Sequence, residues 1–360
     1  MSPPRRSGSA PRRPTMADVA ARAGVSRTLV SFVLDGKPGA SAETRERVLA
    51  IADEIGYRPD SAARLLALGR SRTLGVLTDV RQLFQSELVT HIYPAAEELG
   101  YEVLLSANLS DRPESRSIDS LLSHRCGALI LLAPASDSAY LRDLAVRAPV
   151  VVVGRRLPAS RAATGLGTVR TNDAKGIRQA VDYLTELGHC DIHHVDGGAD
   201  HAAVDRRRAY NAAMRAHGLS GHAKVIPGAH TEQAGAAAAR TMMADGELPT
   251  AVLASNDRCA LGLLDVFTRA GIDIPGQLSL IGFDDSRLSD NPRIDLTTIH
   301  QDAPELARTA VDLAVRLLTG SERPGDVVLE AKLIVRGTTA PPAATTPTAT
   351  TPTAPTPRPV

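Results

Sequence analysis

The sequence predicts a small all-α helix-turn-helix head joined to a larger α/β core of two Rossmann-like parallel-sheet lobes. Three observations lead there. The chain has 360 residues, more than one ordinary core takes, so two or three domains are expected. Residues 15–57 read as three short helices punctuated by glycine turns. From Thr73 onward, short β-rich runs alternate with amphipathic segments, the pattern of βαβ units and parallel sheets covered on both faces.

The elements follow in order. Residues 1–14 are Pro, Ser, Arg and Gly, a basic leader expected to be disordered. Thr15 caps a first helix with Asp18 three residues on, and Gly24 ends it. Ser26 caps a second helix, Arg27 to Leu34, whose Val30, Val33 and Leu34 form one apolar stripe. Ser41 caps a third, with Val48, Ile51, Ala52 and Ile55 inward and Gly56 closing it. Residues 59–69 form one more short helix-like stretch. In the core, strands are expected at 73–78, 102–106, 128–132, 149–153, 192–195, 251–255 and 278–283, with helices at 86–99, 173–187, 205–217, 257–270 and 302–319, among others. The expected domains are a leader (1–14), a head (15–58), a linker (59–72), a two-lobed body (73–338) and a disordered Pro/Thr/Ala-rich tail (339–360).

Composition narrows the function classes. Apolar residues are 43% and charged residues 22%, near globular averages. Apolar runs such as Ala128 to Ala135 fall far short of the roughly 20 residues a bilayer helix needs. The N-terminus has no apolar segment of the secretory kind. Cys126, Cys190 and Cys259 are odd in number and far apart, which suits a reduced cytosol. A soluble cytoplasmic protein is expected. Its net charge of +1 hides a division: residues 1–72 hold 13 Lys/Arg and 7 Asp/Glu, the remainder 28 and 33. A basic end on an acidic body is what one polyanion-facing end produces, although four arginines of the leader supply much of it.

A helix, a tight glycine turn and a second helix opened by a Ser cap make a helix-turn-helix, whose second helix enters the DNA major groove. With Val30, Val33 and Leu34 inward, Arg27, Thr28, Ser31 and Phe32 face outward. Arg27 suits guanine, because a guanidinium bonds O6 and N7 together. The plainer alternative is a three-helix bundle with solvated charges and no DNA.

At this point the residues resemble a family. DVAxxAGVS, the VS-x-VL-x-G helix, the S-x-ETRxRV third helix, the GYRP exit, then ND-x-x-ALG, GFDD and LTTIHQD are similar in order to the LacI/GalR transcription regulators over roughly residues 15–338. The resemblance implies a sequence-specific repressor, acting as a homodimer on a pseudo-palindromic operator in double-stranded DNA. It also implies a core like the periplasmic sugar-binding proteins, holding a small polar effector such as a sugar. The DNA-contacting set is then Thr15, Ser26, Arg27, Thr28, Ser31 and Phe32, together with hinge residues Ala63, Arg64 and Leu66. In similar proteins a hinge leucine wedges into the minor groove, here Leu66. A helix of about nine residues is marginal alone, so 60–68 is expected to order on DNA. Otherwise Leu65 and Leu66 are packing residues of a linker. Two departures bear on DNA affinity: Phe32 stands where many relatives have Arg, either touching a thymine methyl or turning inward, and Asp60 stands where Asn is usual.

For the ligand, the resemblance points to Arg206, Asp257 and Gln301, with Arg155 and His230 as further candidates. A guanidinium and a carboxylate facing one pocket can hold vicinal hydroxyls or a carboxylated ligand; for Asp257 the alternative is an ordinary helix cap. Few aromatics are present, which favours a polar ligand. Metal and cofactor sites are not expected: His189, Cys190, His193 and His194 lack zinc spacing, and Gly165-Leu-Gly167 lacks the dinucleotide fingerprint. No catalytic motif was found. The rival readings are a transporter's solute-binding protein and an enzyme on a Rossmann-type scaffold.

Overall fold

The computed structural model describes residues 12, 14–34, 36–58, 71–109, 111–158, 165–246, 248–320 and 325–343. The expected hinge positions Asp60, Ala63, Arg64, Leu65 and Leu66 lie outside the described residues. The chain divides into two compact units, residues 1–71 and 72–360.

The head contains α1 (Met16–Ala23), α2 (Arg27–Leu34) and α3 (Ala42–Glu54). Its short helices are specified at their ends. Asp18 accepts the Thr15 backbone N–H and hydroxyl, both at 2.7 Å. Gly24 takes a left-handed φ of 67°, which glycine adopts without the Cβ penalty. Ser26 Oγ accepts the Leu29 N–H at 3.2 Å, and Ser41 Oγ accepts that of Thr44 at 3.2 Å. The Arg45 guanidinium donates to the carbonyls of Val33 and Lys37 at 3.2 and 2.7 Å, closing the end of α2 with a cation. Val19, Val30, Val48, Ala52 and Tyr57 pack into the core. Arg12, in the stretch expected to be disordered, donates to Asp18 at 2.6 Å.

The core has two six-stranded sheets. The first lobe holds β1 (Thr73–Thr78), β2 (Glu102–Ala107), β3 (Ala128–Leu132), β4 (Val150–Val153), β5 (Leu166–Thr171) and β11 (Asp326–Leu329), with helices α4 (Leu83–Glu98), α5 (Glu114–Ser123), α6 (Ser138–Arg147) and α11 (Ala303–Thr319). The second holds β6 (Ile192–Val195), β7 (Lys224–Ile226), β8 (Ala251–Leu253), β9 (Ser279–Asp284), β10 (Thr297–His300) and β12 (Lys332–Ile334), with α7 (Asp173–Glu186), α8 (His201–Ala216), α9 (Glu232–Ala244) and α10 (Asp257–Arg269). The strand orders are β11-β5-β4-β3-β1-β2 and β12-β10-β9-β8-β6-β7. Neighbours run parallel except β12, which is antiparallel to β10.

Buried parallel strands show their alternation in which layer each side chain enters. Ala128, Ile130 and Leu132 join one face of the first sheet; Leu129 and Leu131 join the other. In the second sheet Val252 and Leu280 enter one layer, Leu253 and Ile281 the opposite one. Gly235 on α9 and Gly262 on α10 let these helices meet backbone to backbone, where a Cβ would strike the carbonyls of Cys259 and Glu232.

The chain passes between lobes at β5–α7, β10–α11 and β11–β12. Its ordered body continues beyond the expected boundary at 338. Thr338 exchanges hydrogen bonds with Leu280 (2.7 and 2.8 Å), and the Ala340 carbonyl accepts from Ser279 Oγ at 3.0 Å and lies 2.8 Å from His189 Nε2. Hydrogen bonding rather than apolar burial holds this segment, so hydrophobic patterning gave no sign of it. Among the described residues, no helix is long and apolar enough to cross a membrane.

Candidate functional site

On the head, Thr15, Ser26, Arg27 and Thr28 are exposed, Ser31 is half-buried, and Val30 and Val33 are buried. One side of α2 therefore packs while its N-terminal turn stands outward. Arg27 makes no ion pair among the described residues. Phe32 is 38% exposed and its ring centroid lies 5.9 Å from Lys37 Nζ, so the ring rests against the following turn instead of entering the core.

In the second unit, a cavity of about 280 Å³ opens between the lobes. Its polar lining comes from the carboxyl ends of strands: Asp79 after β1, Asn108 after β2, Asn256 after β8, Asp284 at the end of β9 and Gln301 after β10. This is where open α/β sheets place ligands. From the start of α8 and the loop before α9 come Asp200, Arg206 and His230, while Phe84, Leu88, Leu132 and Val153 supply apolar surface from the first lobe.

Arg206 is nearly buried and held on three sides. Its Nη1 donates to the Ser255 carbonyl at 2.7 Å and its Nε to Asp173 at 3.2 Å, and its guanidinium carbon sits 3.5 Å from the centre of the Phe283 ring. Gln301 donates its side-chain amide to Asp284 at 2.8 Å. Asp284 itself has φ 117°, a conformation that L residues rarely adopt and that the surroundings must impose. Burial pushes its carboxyl up to about 8, against the pull of Arg206 and with the push of Asp257. The adjoining Asp285 goes the other way, to about 2: burial is outweighed by hydrogen bonds from His300, Arg336 and Ser289. His230 lies 2.8 Å from Asp200. Burial opposes ionisation of Asp200, but His230 and the Ala203 N–H outweigh it and hold the carboxyl at about 2.

Asp257 does not line the cavity. Its carboxylate is fully buried and accepts the Ser286 N–H and hydroxyl (2.8 and 2.9 Å) and the Thr298 hydroxyl (2.6 Å). The cap of α10 is Asn256, whose Oδ1 accepts from Cys259 at 2.9 Å, leaving its amide donors for the cleft. Asn256, and not the expected Asp257, therefore lines the cavity, with Asp257 behind it tying β10 to the loop that follows Asp284. Arg155 also stands off this cavity, donating to the carbonyls of Pro134 and Ser136 at 2.9 and 2.7 Å. The structure brings Arg206, Gln301 and His230 together in the lining of one cavity. The sequence reading did not single out Asp79, Asn108, Asp200, Asn256 and Asp284, four of which the strand-end rule reaches once strands are placed. Among the described residues, no group of three His, Cys, Asp or Glu side chains is arranged to hold a metal.

Comparison with known proteins gives matches along most of the chain. Residues 15–60 match the bacterial regulatory proteins of the lacI family, and residues 181–339 match a periplasmic binding protein-like domain. The HTH-type transcriptional regulator AscG of Escherichia coli K12 is 30% identical over 91% of this chain and 99% of its own length. A crystal structure of a LacI transcriptional regulator from a Rhodococcus species is 44% identical, covering 75% of this chain and 98% of that one at a TM-score of 0.71. The lac repressor dimer bound to operator and an anti-inducer is 27% identical, covering 91% and 100% at a TM-score of 0.78.

Proposed function

The chain belongs to the LacI family of bacterial regulatory proteins, DNA-binding regulators of transcription, and we propose that it is a repressor released from or held on its operator by a small polar ligand in the core cleft. The observation that carries the reading is the Ser26-capped turn of α2, with Arg27 and Thr28 exposed beside buried Val30 and Val33. A helix N-terminus with exposed donors suits the major groove, and the +6 balance of residues 1–72 suits a polyanion. The protein acts as a cytoplasmic homodimer without catalysis, as the lac repressor was solved as a dimer on operator. Thr15, Ser26, Thr28, Ser31 and Phe32 complete the head's DNA-facing set. The family resemblance extends the proposed DNA-contacting set to Ala63, Arg64 and Leu66 of the 59–72 connector, three positions outside the described residues.

The ligand is a sugar or a related polyol. Asn256 offers amide donors, Arg206 a guanidinium edge, and Asp79 and Asp284 offer acceptors, a mixed set that matches hydroxyl groups on both counts. A ligand that prefers one arrangement of the lobes biases that arrangement and thereby DNA affinity. Selection from randomised duplexes tests the DNA half of this reading. Wild type is expected to enrich a two-fold symmetric site, and Arg27→Ala to lose preference at one position of each half-site, a cost of about 1–3 kcal/mol for the bidentate contact. Unchanged preference would remove Arg27 from base reading.

A further inference from the structure

We propose that Phe32 reads a base-borne methyl group in the major groove, so that each half-site carries thymine, or 5-methylcytosine in its place, beneath this ring. This rests on the reading of α2 as the helix that enters the groove. Thr28 and Phe32 stand at i and i+4, one helical turn apart, and share a face of α2. Both are exposed, while Val30 and Val33 are buried in the core. Phe32 therefore prolongs the outward edge that begins with Arg27 and Thr28.

The ring is held where it stands. Val19, Val30, Val48, Ala52 and Tyr57 already close the core beneath α2. On the ring's other side comes the turn after the helix. Gly39 has φ +123°, and a Cβ there would lie 3.5 Å from Phe32 Cδ2, so this glycine's backbone passes close to the ring. Lys37 Nζ sits 5.9 Å from the ring centroid, within range of a cation–π attraction. The turn is itself tied down. The Lys37 N–H donates to the Phe32 carbonyl at 2.9 Å and the Gly36 N–H to that of Val33 at 3.2 Å, while Arg45 grips the carbonyls of Val33 and Lys37. A ring braced in this way gives up little freedom when it meets a partner.

Chemistry names the partner. A phenyl ring neither donates nor accepts the hydrogen bonds that polar side chains use to read bases. Every base pair presents donors or acceptors in the major groove, and only thymine adds an apolar group, its C5 methyl. Over any other base edge the ring would cover an amino or carbonyl group without pairing it, which costs the lost hydration. 5-Methylcytosine carries the same methyl at the same ring carbon, so cytosine methylation at this position creates a contact that unmodified cytosine lacks. Distance locates the base. Five residues separate Arg27 from Phe32, a rise of about 7.5 Å along the helix, or about two base steps of roughly 3.4 Å. The methyl-bearing base therefore lies within about two base pairs of the one proposed for Arg27.

The test uses the full chain and the duplex it selects from random sequence, with uracil replacing each thymine of both half-sites in turn. Uracil removes the methyl and leaves the hydrogen-bonding edge as it was. One such replacement, within about two base pairs of the position that depends on Arg27, is expected to weaken binding about fourfold per half-site, the weight of one methyl group. Exchanging that T·A pair for C·G should weaken binding further, and 5-methylcytosine should recover about fourfold over cytosine. Phe32→Ala is expected to bind the thymine and uracil duplexes alike, and Phe32→Leu to keep the preference for thymine. A selected half-site without thymine there, equal binding of thymine and uracil duplexes by wild type, or a uracil penalty that persists in Phe32→Ala overturns the methyl inference and leaves α2 as the reading helix. A wild type that selects no sequence, or whose preference Arg27→Ala and Phe32→Ala both leave unchanged, overturns the groove reading as well.

Discussion

The two lobes of the core share one winding order yet contribute unlike walls to the cleft. The second lobe supplies Asp200, Arg206, His230, Asn256 and Asp284; the first supplies Phe84, Leu88, Leu132 and Val153 around Asp79, Gln85 and Asn108. Behind the second lobe's wall, nearly every polar group is braced: Arg206 by Asp173, Ser255 and Phe283, Asp284 by Gln301, Asp200 by His230. On the reading proposed above, the second lobe supplies most of the gripping groups and the first most of the apolar cover, although its Asp79 and Asn108 are likewise held, by Arg81 and Glu114. Contacts join the two lobes at the rim, where the Arg287 N–H donates to Glu87 at 2.9 Å and Arg258 to the Arg81 carbonyl at 2.6 Å.

Substitutions at the cleft break or sharpen that asymmetry. The largest effect is expected at Arg206. Arg206→Ala leaves Asp173 without its buried partner and should cost about 3–5 kcal/mol of stability and the saccharide-induced rise in melting temperature. Arg206→Lys keeps charge without the fork and should keep the fold while still losing about 1–3 kcal/mol of binding in calorimetry, the cost of a charged hydrogen bond. Next comes Asp257→Ala, which strands the Ser286 and Thr298 donors and should lower unfolding free energy by about 1–3 kcal/mol; denaturant titration reads it. Loss of ligand affinity out of proportion to that destabilisation would return Asp257 to the contact layer. Asn108→Ala on the covering wall should weaken ligand binding by only about 1 kcal/mol. An effect equal to that of Arg206→Lys would erase the distinction between the lobes.

A separate effect is in pH. Burial raises the Asp284 carboxyl to about 8, whereas an unfolded Asp titrates near 3.9. The folded chain holds a proton there that the unfolded chain has released, so this contribution is complete below about pH 4 and is lost as pH rises towards about 8. Asp257, raised by burial beside it, acts in the same direction. Melting temperatures at pH 5, 6.5 and 8 should therefore decline more steeply in wild type than in Asp284→Asn. Equal slopes would show that Asp284 ionises freely in the cleft.

Much of this was legible before any coordinates, for reasons that differ between regions. The head is a local structure: Thr15, Gly24, Ser26 and Ser41 mark helix ends within a few residues, and burial of Val30 and Val33 follows from helical spacing. The central strands, such as Ala128–Leu132 and Val150–Val153, are continuous apolar runs and stood out. Strands β7 and β12, three residues each, and β10, TTIH, offered no such run, because they gain their places from partners distant in sequence. The cleft suffers most from this. Asp284 and Asn256 reach the same cavity only once β8 and β9, far apart in sequence, pair within one sheet, and nothing local says that Asp257 turns inward while Asn256 faces the cavity. Arg206 and Gln301 come from the resemblance to the family and His230 from its place as a further cleft candidate, whereas Asp79, Asn108 and Asp200 require the fold.

On the proposed function, the chain reads double-stranded DNA through the turn that begins at Ser26. The most direct measurement is the affinity of the full chain for a duplex selected from random sequence, followed from about 50 to 200 mM salt beside a scrambled duplex. A steep linear fall of log affinity with log salt is expected for both duplexes, with a preference for the selected one of about a thousandfold or more. Equal affinity for the two, or no binding to either at the lowest salt with and without saccharides, would contradict it.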